Sequence, residues 1–357
     1  MMSTIVEFDQ NARRRPTVID VARLAEVSTA TVDRVLNGRS GVRSLTTARV
    51  LKAAADLGYL DPADERTLGV GAKGQIDFIL PDGGNRYIAQ LGRQIVALAP
   101  WFERLRLKPR VEFVRAFDPE ALAKTITRCG RTADGVAFMA IEHPLVREAV
   151  ADLAARGVPT ATLISDIANA GRAAYFGLDN RAAGRMAGYL LARFIPQRPA
   201  KVAMIAGSRG YRAHGEREMG FLDILTELHP GIDVVDLREG QDDEGMNQRQ
   251  MRTLLTQHPD LAGIYNIGGG ATGIARALQA ARRARDVVFV GHGLTADTRK
   301  LLMDGTMDAV ITQSADDTVR RCATLFADVI AQRMPTAEPA PMRIEVVFRE
   351  NLPAPMG

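Results

Sequence analysis

The chain has 357 residues, a length that suggests two or three domains and leaves room for a sizeable core. Its 46% hydrophobic and 25% charged residues are ordinary globular values, and no apolar run approaches a membrane span, so disordered and membrane-spanning classes are set aside. The net charge of +4 is uneven: residues 1–60 hold nine Arg or Lys against six acids, and attraction to phosphate would act there. Cys129 and Cys322 stand far apart without metal or redox spacing, as in a reduced compartment, and read as packing residues. The N-terminal stretch lacks an apolar core followed by a small-residue cleavage site. Secretion is not expected, and a cytoplasmic location is.

Residues 1–15 read as a loose arm ending in Arg13, Arg14 and Arg15. Three short apolar-periodic segments follow between Pro16 and Leu60. Val18, Val21, Ala22, Leu24 and Ala25 form one helical face, closed by a turn at Glu26–Val27. Ser28 stands where an N-cap belongs, and Val32, Val35 and Leu36 give the second helix its buried side before Asn37–Gly38 ends it. A third helix, capped near Ser44–Thr46, turns Val50, Leu51, Ala54 and Leu57 inward and stops at Gly58. Two helices joined by a tight turn and braced by a third make a helix-turn-helix DNA-reading unit. Residues 61–74, DPADERTLGVGAKG, form a polar linker.

From Gln75 onward, strands alternate with helices. The first set has strands at Ile76–Leu80, Val111–Phe113, Gly135–Met139 and Thr160–Leu163, with helices at Ala89–Leu105, Pro119–Cys129 and Pro144–Arg156. The pattern restarts with a helix at Ala182–Phe194. Strands then fall at Val202–Ile205, Val234–Leu237, Gly263–Ile267, Val287–Val290 and Ala309–Thr312. Their helices are Arg217–Leu228, Gly245–Gln257, Gly273–Ala281 and Ala296–Met303. Such alternation predicts two successive doubly wound parallel sheets, with a ligand at the carboxyl ends of strands in the cleft between them.

The head resembles the LacI family of bacterial transcription regulators. The likeness is carried by T-x-x-D-V-A at Thr17–Ala22, V-S-x-x-T-V at Val27–Val32, R-V-L-N at Arg34–Asn37, then Val42, Thr46, Val50, Ala54 and L-G-Y at Leu57–Tyr59. The rest resembles the ribose-binding-protein type of sugar receptor that this family fuses to its head. There the motifs are F-G-L-D-N-R-A-A-G at Phe176–Gly184, R-x-x-G-F at Arg217–Phe221 and D-G-x-x-D-A-x-I-x-Q at Asp304–Gln313. The resemblance implies an all-α helix-turn-helix head (16–60), a hinge linker (61–74) and an α/β effector domain (75–357) of the type I periplasmic-binding-protein kind. Lobe crossings are expected near Asp179, Gln313 and Pro341, giving an N-lobe of 75–178 and 314–340 and a C-lobe of 179–313 and 341–357.

The resemblance turns Thr29, Ala30 and Arg34 toward base edges in the major groove. Arg34 is the strongest reader, because one guanidinium can bond O6 and N7 of guanine together. Ser28, Thr31, Asn37 and Thr46 would position phosphates. Leu68 falls where the family wedges a leucine into the minor groove, although Asp61, Asp64 and Glu65 put acid beside that place. Asp33 is unusual on a DNA-facing helix: a carboxylate near the DNA backbone is repulsive unless it pairs with Arg34 or accepts from a cytosine amine.

In the cleft, polar residues at strand ends are the candidate ligand groups. These are Asp82, Asn85 and Tyr87 after the first strand, Ser165 and Asp166 after the fourth, Arg212 and His214, then Asn266, His292 and Gln313. Tyr87 could stack on a sugar ring. Asp179 and Asn180 read as crossover structure. Where the receptor family commonly has an acid, this chain has His292–Gly293, which favours an acidic or unusual polyol ligand. The expected protein is a homodimeric repressor on double-stranded operator DNA, controlled by a sugar, polyol or sugar derivative that changes the angle between lobes. No cofactor, metal site or membrane partner is expected.

Two other functions compete with this one. Gly268–Gly273, GGGATG, fits G-x-G-x-x-G after a strand and before a helix, the loop of a nicotinamide-dependent oxidoreductase. The ribose-binding acid belongs at the end of the next strand, but Val287–Val290 ends in Gly291–His292 and Asp286 precedes it. The glycines are therefore expected to admit a ligand or a neighbouring helix. A free-standing sugar receptor is opposed by the head and by the missing leader.

Overall fold

The computed structural model describes residues 16–37, 39, 41–59, 74–331 and 338–354. The expected arm, Leu68 and the linker through Lys73 lie outside the described residues. The chain forms two compact units, residues 1–73 with 330–333 and residues 74–329 with 334–357.

The first unit holds α1 (Val18–Leu24), α2 (Thr29–Leu36) and α3 (Ser44–Asp56). Thr17 and Asp20 close a capping box on α1, and Ser28 accepts from the Thr31 amide at 3.2 Å to cap α2. Val21, Ala22, Ala25, Val32, Val35, Val50, Leu51 and Ala54 form one buried cluster, the apolar faces expected from the helical period.

In the second unit, β1 (Gly74–Asp82), β2 (Leu107–Arg115), β3 (Gly135–Phe138), β4 (Thr160–Leu163) and β5 (Ala174–Phe176) make a parallel sheet in the order β2-β1-β3-β4-β5. Around it lie α4 (Arg86–Ala97), α5 (Ala99–Arg104), α6 (Pro119–Cys129) and α7 (Pro144–Ala155). A second sheet takes β6 (Ala200–Ala206), β7 (Ile232–Glu239), β8 (Leu261–Asn266), β9 (Val288–His292), β10 (Ala309–Thr312) and β11 (Glu345–Val347) in the order β11-β10-β9-β8-β6-β7. Only β11 runs antiparallel to its neighbour. Its helices are α8 (Asn180–Phe194), α9 (Arg212–Leu228), α10 (Glu244–Gln257), α11 (Ala271–Ala280) and α12 (Ala296–Asp304). A last helix, α13 (Ala315–Ile330), returns to the first sheet: Asp316 accepts from Gln94 at 3.0 Å and Arg320 lies over the Trp101 ring at 4.7 Å.

Several boundaries move. The helix expected at Ala89–Leu105 is two helices, because Pro100 has no amide to continue the first and is favoured in the opening turn of the next. Strand Val111–Phe113 extends through Pro109 to Leu107, which is tolerated because β2 is an edge strand. The sequence reading left β5, β11 and α13 unplaced, and it started α9 five residues late.

Helices α8 and α9 pack backbone against backbone. A Cβ added to Gly184 would stand 2.0 Å from the Arg217 carbonyl oxygen, and one on Gly220 would stand 2.0 Å from that of Arg181. Any side chain there pushes the helices apart. Gly220→Val is expected to cost about 1–3 kcal/mol of stability in urea unfolding; an unchanged midpoint would contradict this packing.

Candidate functional site

On the head, Ser28, Thr29, Ala30, Arg34 and Asn37 are exposed, while Thr31 and Thr46 are half-buried. Thus the opening turns of α2 present Thr29, Ala30 and Arg34 outward, opposite buried Val32 and Val35. Asp33 pairs with Arg39 at 3.3 Å. Asn37 spends its side-chain amide on the Asp33 backbone oxygen (2.9 Å) and carboxylate (2.8 Å), so that group is not turned out toward a phosphate.

In the second unit the two lobes stand closed on each other. Asn85 donates to the Asp242 carboxylate at 2.9 Å, and the other carboxylate oxygen accepts from the Gly269 amide at 2.6 Å. The Glu142 amide reaches the Gly210 carbonyl at 2.9 Å, and the Phe117 and Tyr211 rings meet at 5.3 Å. Between these contacts lies a cavity of about 50 Å³, room for a few waters.

Five of the expected residues meet on its wall: Asn85, Tyr87, His214, His292 and Gln313. Most are already engaged. The Asn85 side-chain oxygen caps α4 by accepting from the Tyr87 amide at 3.1 Å. Tyr87 donates its hydroxyl to the Gln313 carbonyl at 3.0 Å, and Gln313 donates its amide to Thr318 at 3.1 Å. His292 bonds the Tyr265 hydroxyl at 2.6 Å, and His214 is held by the Ser208 carbonyl at 2.9 Å. Burial pushes both imidazoles below their ordinary pKa, so both are neutral at neutral pH.

The other five do not line the cavity. Asp82 is exposed at the end of β1. Ser165 is fully buried and accepts from the Ala213 amide at 3.4 Å, part of the closed seam between lobes. Asp166 is taken by the Arg172 fork, two bonds of 2.5 Å, and by the Thr162 hydroxyl. Arg212 pairs with Glu216 at 2.7 Å, and with Asp166 it borders a separate surface hollow. Asn266 is buried behind the glycine loop, its amide on the Gly268 and Gly269 carbonyls.

The sequence reading missed the central group, Arg217. It is 7% exposed and lines the cavity, donating from Nε to Asn180 at 2.8 Å and from Nη1 to the Ile267 carbonyl at 2.9 Å. Burial lowers its pKa, yet a guanidinium keeps its charge. A signal was present. Ala213, Arg217, Gly220, Phe221 and Ile224 form the inward period of α9, and an arginine on that face needs a reason to be there. Thr312 and the apolar wall of Ile88, Met139, Ile164, Leu178 and Ile311 were missed as well.

The glycine loop serves packing. A Cβ on Gly273 would stand 1.9 Å from the Glu244 carbonyl oxygen, where α10 meets α11. The Gly269 amide, a donor that a pyrophosphate would need, is spent on Asp242. Among the described residues no group of three or more His, Cys, Asp or Glu could hold a metal ion, and no helix is long and apolar enough to cross a membrane.

Comparison with known proteins identifies two regions. Residues 76–333 match the periplasmic binding protein domain, and residues 17–61 match the bacterial regulatory proteins of the lacI family. The HTH-type transcriptional regulator CelR of Thermobifida fusca is 26% identical over 78% of this chain and 82% of its own. The ribose import binding protein RbsB of Escherichia coli is 30% identical over 44% of this chain and 53% of its own. A solute binding protein of an ABC transporter from Burkholderia graminis, solved with D-arabinose, covers 80% of this chain and 99% of its own at a TM-score of 0.73 and 20% identity, a likeness of fold.

Asp166 supplies a test of its structural role. Burial alone would raise its carboxyl pKa, but the Arg172 and Thr162 bonds outweigh that and hold it below the ordinary value. The stability this adds is present above about pH 4 and lost as pH falls through the lowered value. Asp166→Asn is expected to flatten the acid limb of the stability curve below about pH 4. An acid limb as steep as that of the parent protein would contradict the pairing.

Proposed function

Because the chain belongs to the periplasmic binding protein domain family and carries a lacI-family head, we propose that it is a transcriptional repressor whose operator affinity is set by a small sugar-type ligand in the cleft. The carrying observation is the pairing, in one chain, of an outward α2 face with a cavity between two lobes. RbsB is named for ribose import and the Burkholderia graminis protein was solved with D-arabinose, and the same kind of ligand is proposed here. Two copies would place two heads on the half-sites of a pseudo-palindromic operator.

The contacts that join the lobes give the mechanism its lever. Asn85, Asp242 and Gly269 hold the closed arrangement, and a ligand between the lobes adds bonds available only there. Such a ligand shifts the balance by its differential affinity for closed and open forms, and operator affinity follows. In the head, Arg34 reads a base edge, with Thr29 and Ala30 making apolar contact beside it.

Selection of duplexes from a genomic library by the intact protein is expected to enrich a two-fold-symmetric site, with affinity falling steeply as salt rises. Arg34→Ala should cost about 1–3 kcal/mol on that site and relax the preference at one base pair per half-site. An unchanged affinity would remove Arg34 from base reading, and failure to enrich any duplex would overturn the regulator.

A further inference from the structure

The cavity between the lobes has two unlike sides. The first lobe brings three aliphatic side chains to it from the ends of neighbouring strands: Ile88 on α4 after β1, Met139 after β3 and Ile164 after β4. Its two polar side chains there are spent. Asn85 accepts from the Tyr87 amide and donates to Asp242, and Tyr87 donates to the Gln313 carbonyl. Ile164 is held at a φ of 64°, a left-handed conformation that a β-branched residue rarely adopts, and the Ser165 amide closes the turn on the Leu163 carbonyl at 2.6 Å. Glycine or asparagine would take that bend more readily, yet the wall carries an aliphatic group. The second lobe's side is polar: His214 and His292 each commit one ring nitrogen, and Arg217 has donors to spare. The buried Asp242 carboxylate favours the Arg217 charge, so the cleft calls for no ion from its ligand.

A hydroxyl set against Ile88, Met139 and Ile164 would leave water without a side-chain partner, whereas a methyl group there gains by burial. We propose that the ligand of this cleft is a neutral 6-deoxyhexose, its ring hydroxyls toward the second lobe and its methyl group against these three aliphatic side chains. The proposal rests on the ligand-controlled reading above and names the class of sugar. The methyl group is the one apolar projection from such a ring. An ordinary hexose carries a hydroxymethyl group at the same carbon, and a pentose carries only hydrogen, which leaves the aliphatic wall uncovered.

The test is calorimetric titration of the intact protein with sugars that differ only at that carbon. L-Fucose is compared with L-galactose and D-arabinose, and L-rhamnose with L-mannose and L-lyxose. D-Fucose is compared with D-galactose and L-arabinose, and D-quinovose with D-glucose and D-xylose. At least one deoxy sugar is expected to bind about tenfold or more tightly than its hydroxymethyl partner, and more tightly than its pentose. Ile164→Asn suits the left-handed backbone and puts an amide on the wall, so it should level the deoxy and hydroxymethyl affinities. Met139→Gln should do the same from the next strand, with melting curves showing that the variants fold. A hydroxymethyl sugar or a pentose binding as tightly as its deoxy partner would overturn the methyl assignment and leave the ligand-controlled reading standing. A preference unchanged in both variants would overturn the aliphatic wall as its cause. No binding by any of these sugars would overturn both the assignment and the reading.

Discussion

Arg217 spends one N–H on the Asn180 side chain and another on the Ile267 carbonyl, on the wall of the cavity between the lobes. A guanidinium taken out of water costs several kcal/mol unless its hydration is replaced, and two neutral acceptors replace only part of it. Much of the second lobe serves to put it there. Gly184 and Gly220 let α8 and α9 touch backbone to backbone beside Arg217. Asn180, buried at the start of α8, accepts from Arg217 while donating to the Tyr175 hydroxyl at 2.9 Å, so β5 of the first sheet is tied to the charge in the second lobe.

Closure depends on a second buried charge. Asp242 sits at 5% exposure, with its carboxylate shared between a side chain of one lobe and a backbone amide of the other. Separating the lobes breaks the bond to Asn85, and water can then replace it. The balance between closed and open forms therefore turns in part on bonds that water can replace. A ligand adding a few bonds across the cleft can decide between the two forms. The chain segments at Leu178 and Met342 run side by side, with the Met342 amide on the Gly177 carbonyl at 2.8 Å.

The head was legible in the sequence almost residue by residue. Its apolar period is short, uninterrupted and bounded by Ser28 and Thr17, residues whose side chains cap helices by local bonds. The two sheets were legible for a similar reason, since buried parallel strands such as Gly135–Phe138 and Thr160–Leu163 are nearly continuous apolar runs. What failed was tertiary. Strands of three residues, β5 and β11, carry no period long enough to read. Asp166 and Arg212 have the chemistry of ligand groups, but Arg172 and Glu216, close in sequence and in space, hold them first. Arg217 was passed over because helix α9 was started at it. Begun at Arg212, the helix turns Arg217 inward on its second turn, and a buried arginine becomes visible.

The central claim is that one ligand in the cleft controls one affinity at the head. It is tested most directly by the operator dissociation constant of the intact protein, measured by fluorescence anisotropy at rising concentrations of the sugar or sugar derivative that binds most tightly. The account predicts a shift of about fivefold or more that levels off as the cleft saturates. A cleft saturated by calorimetry, with the operator constant unmoved, would contradict it.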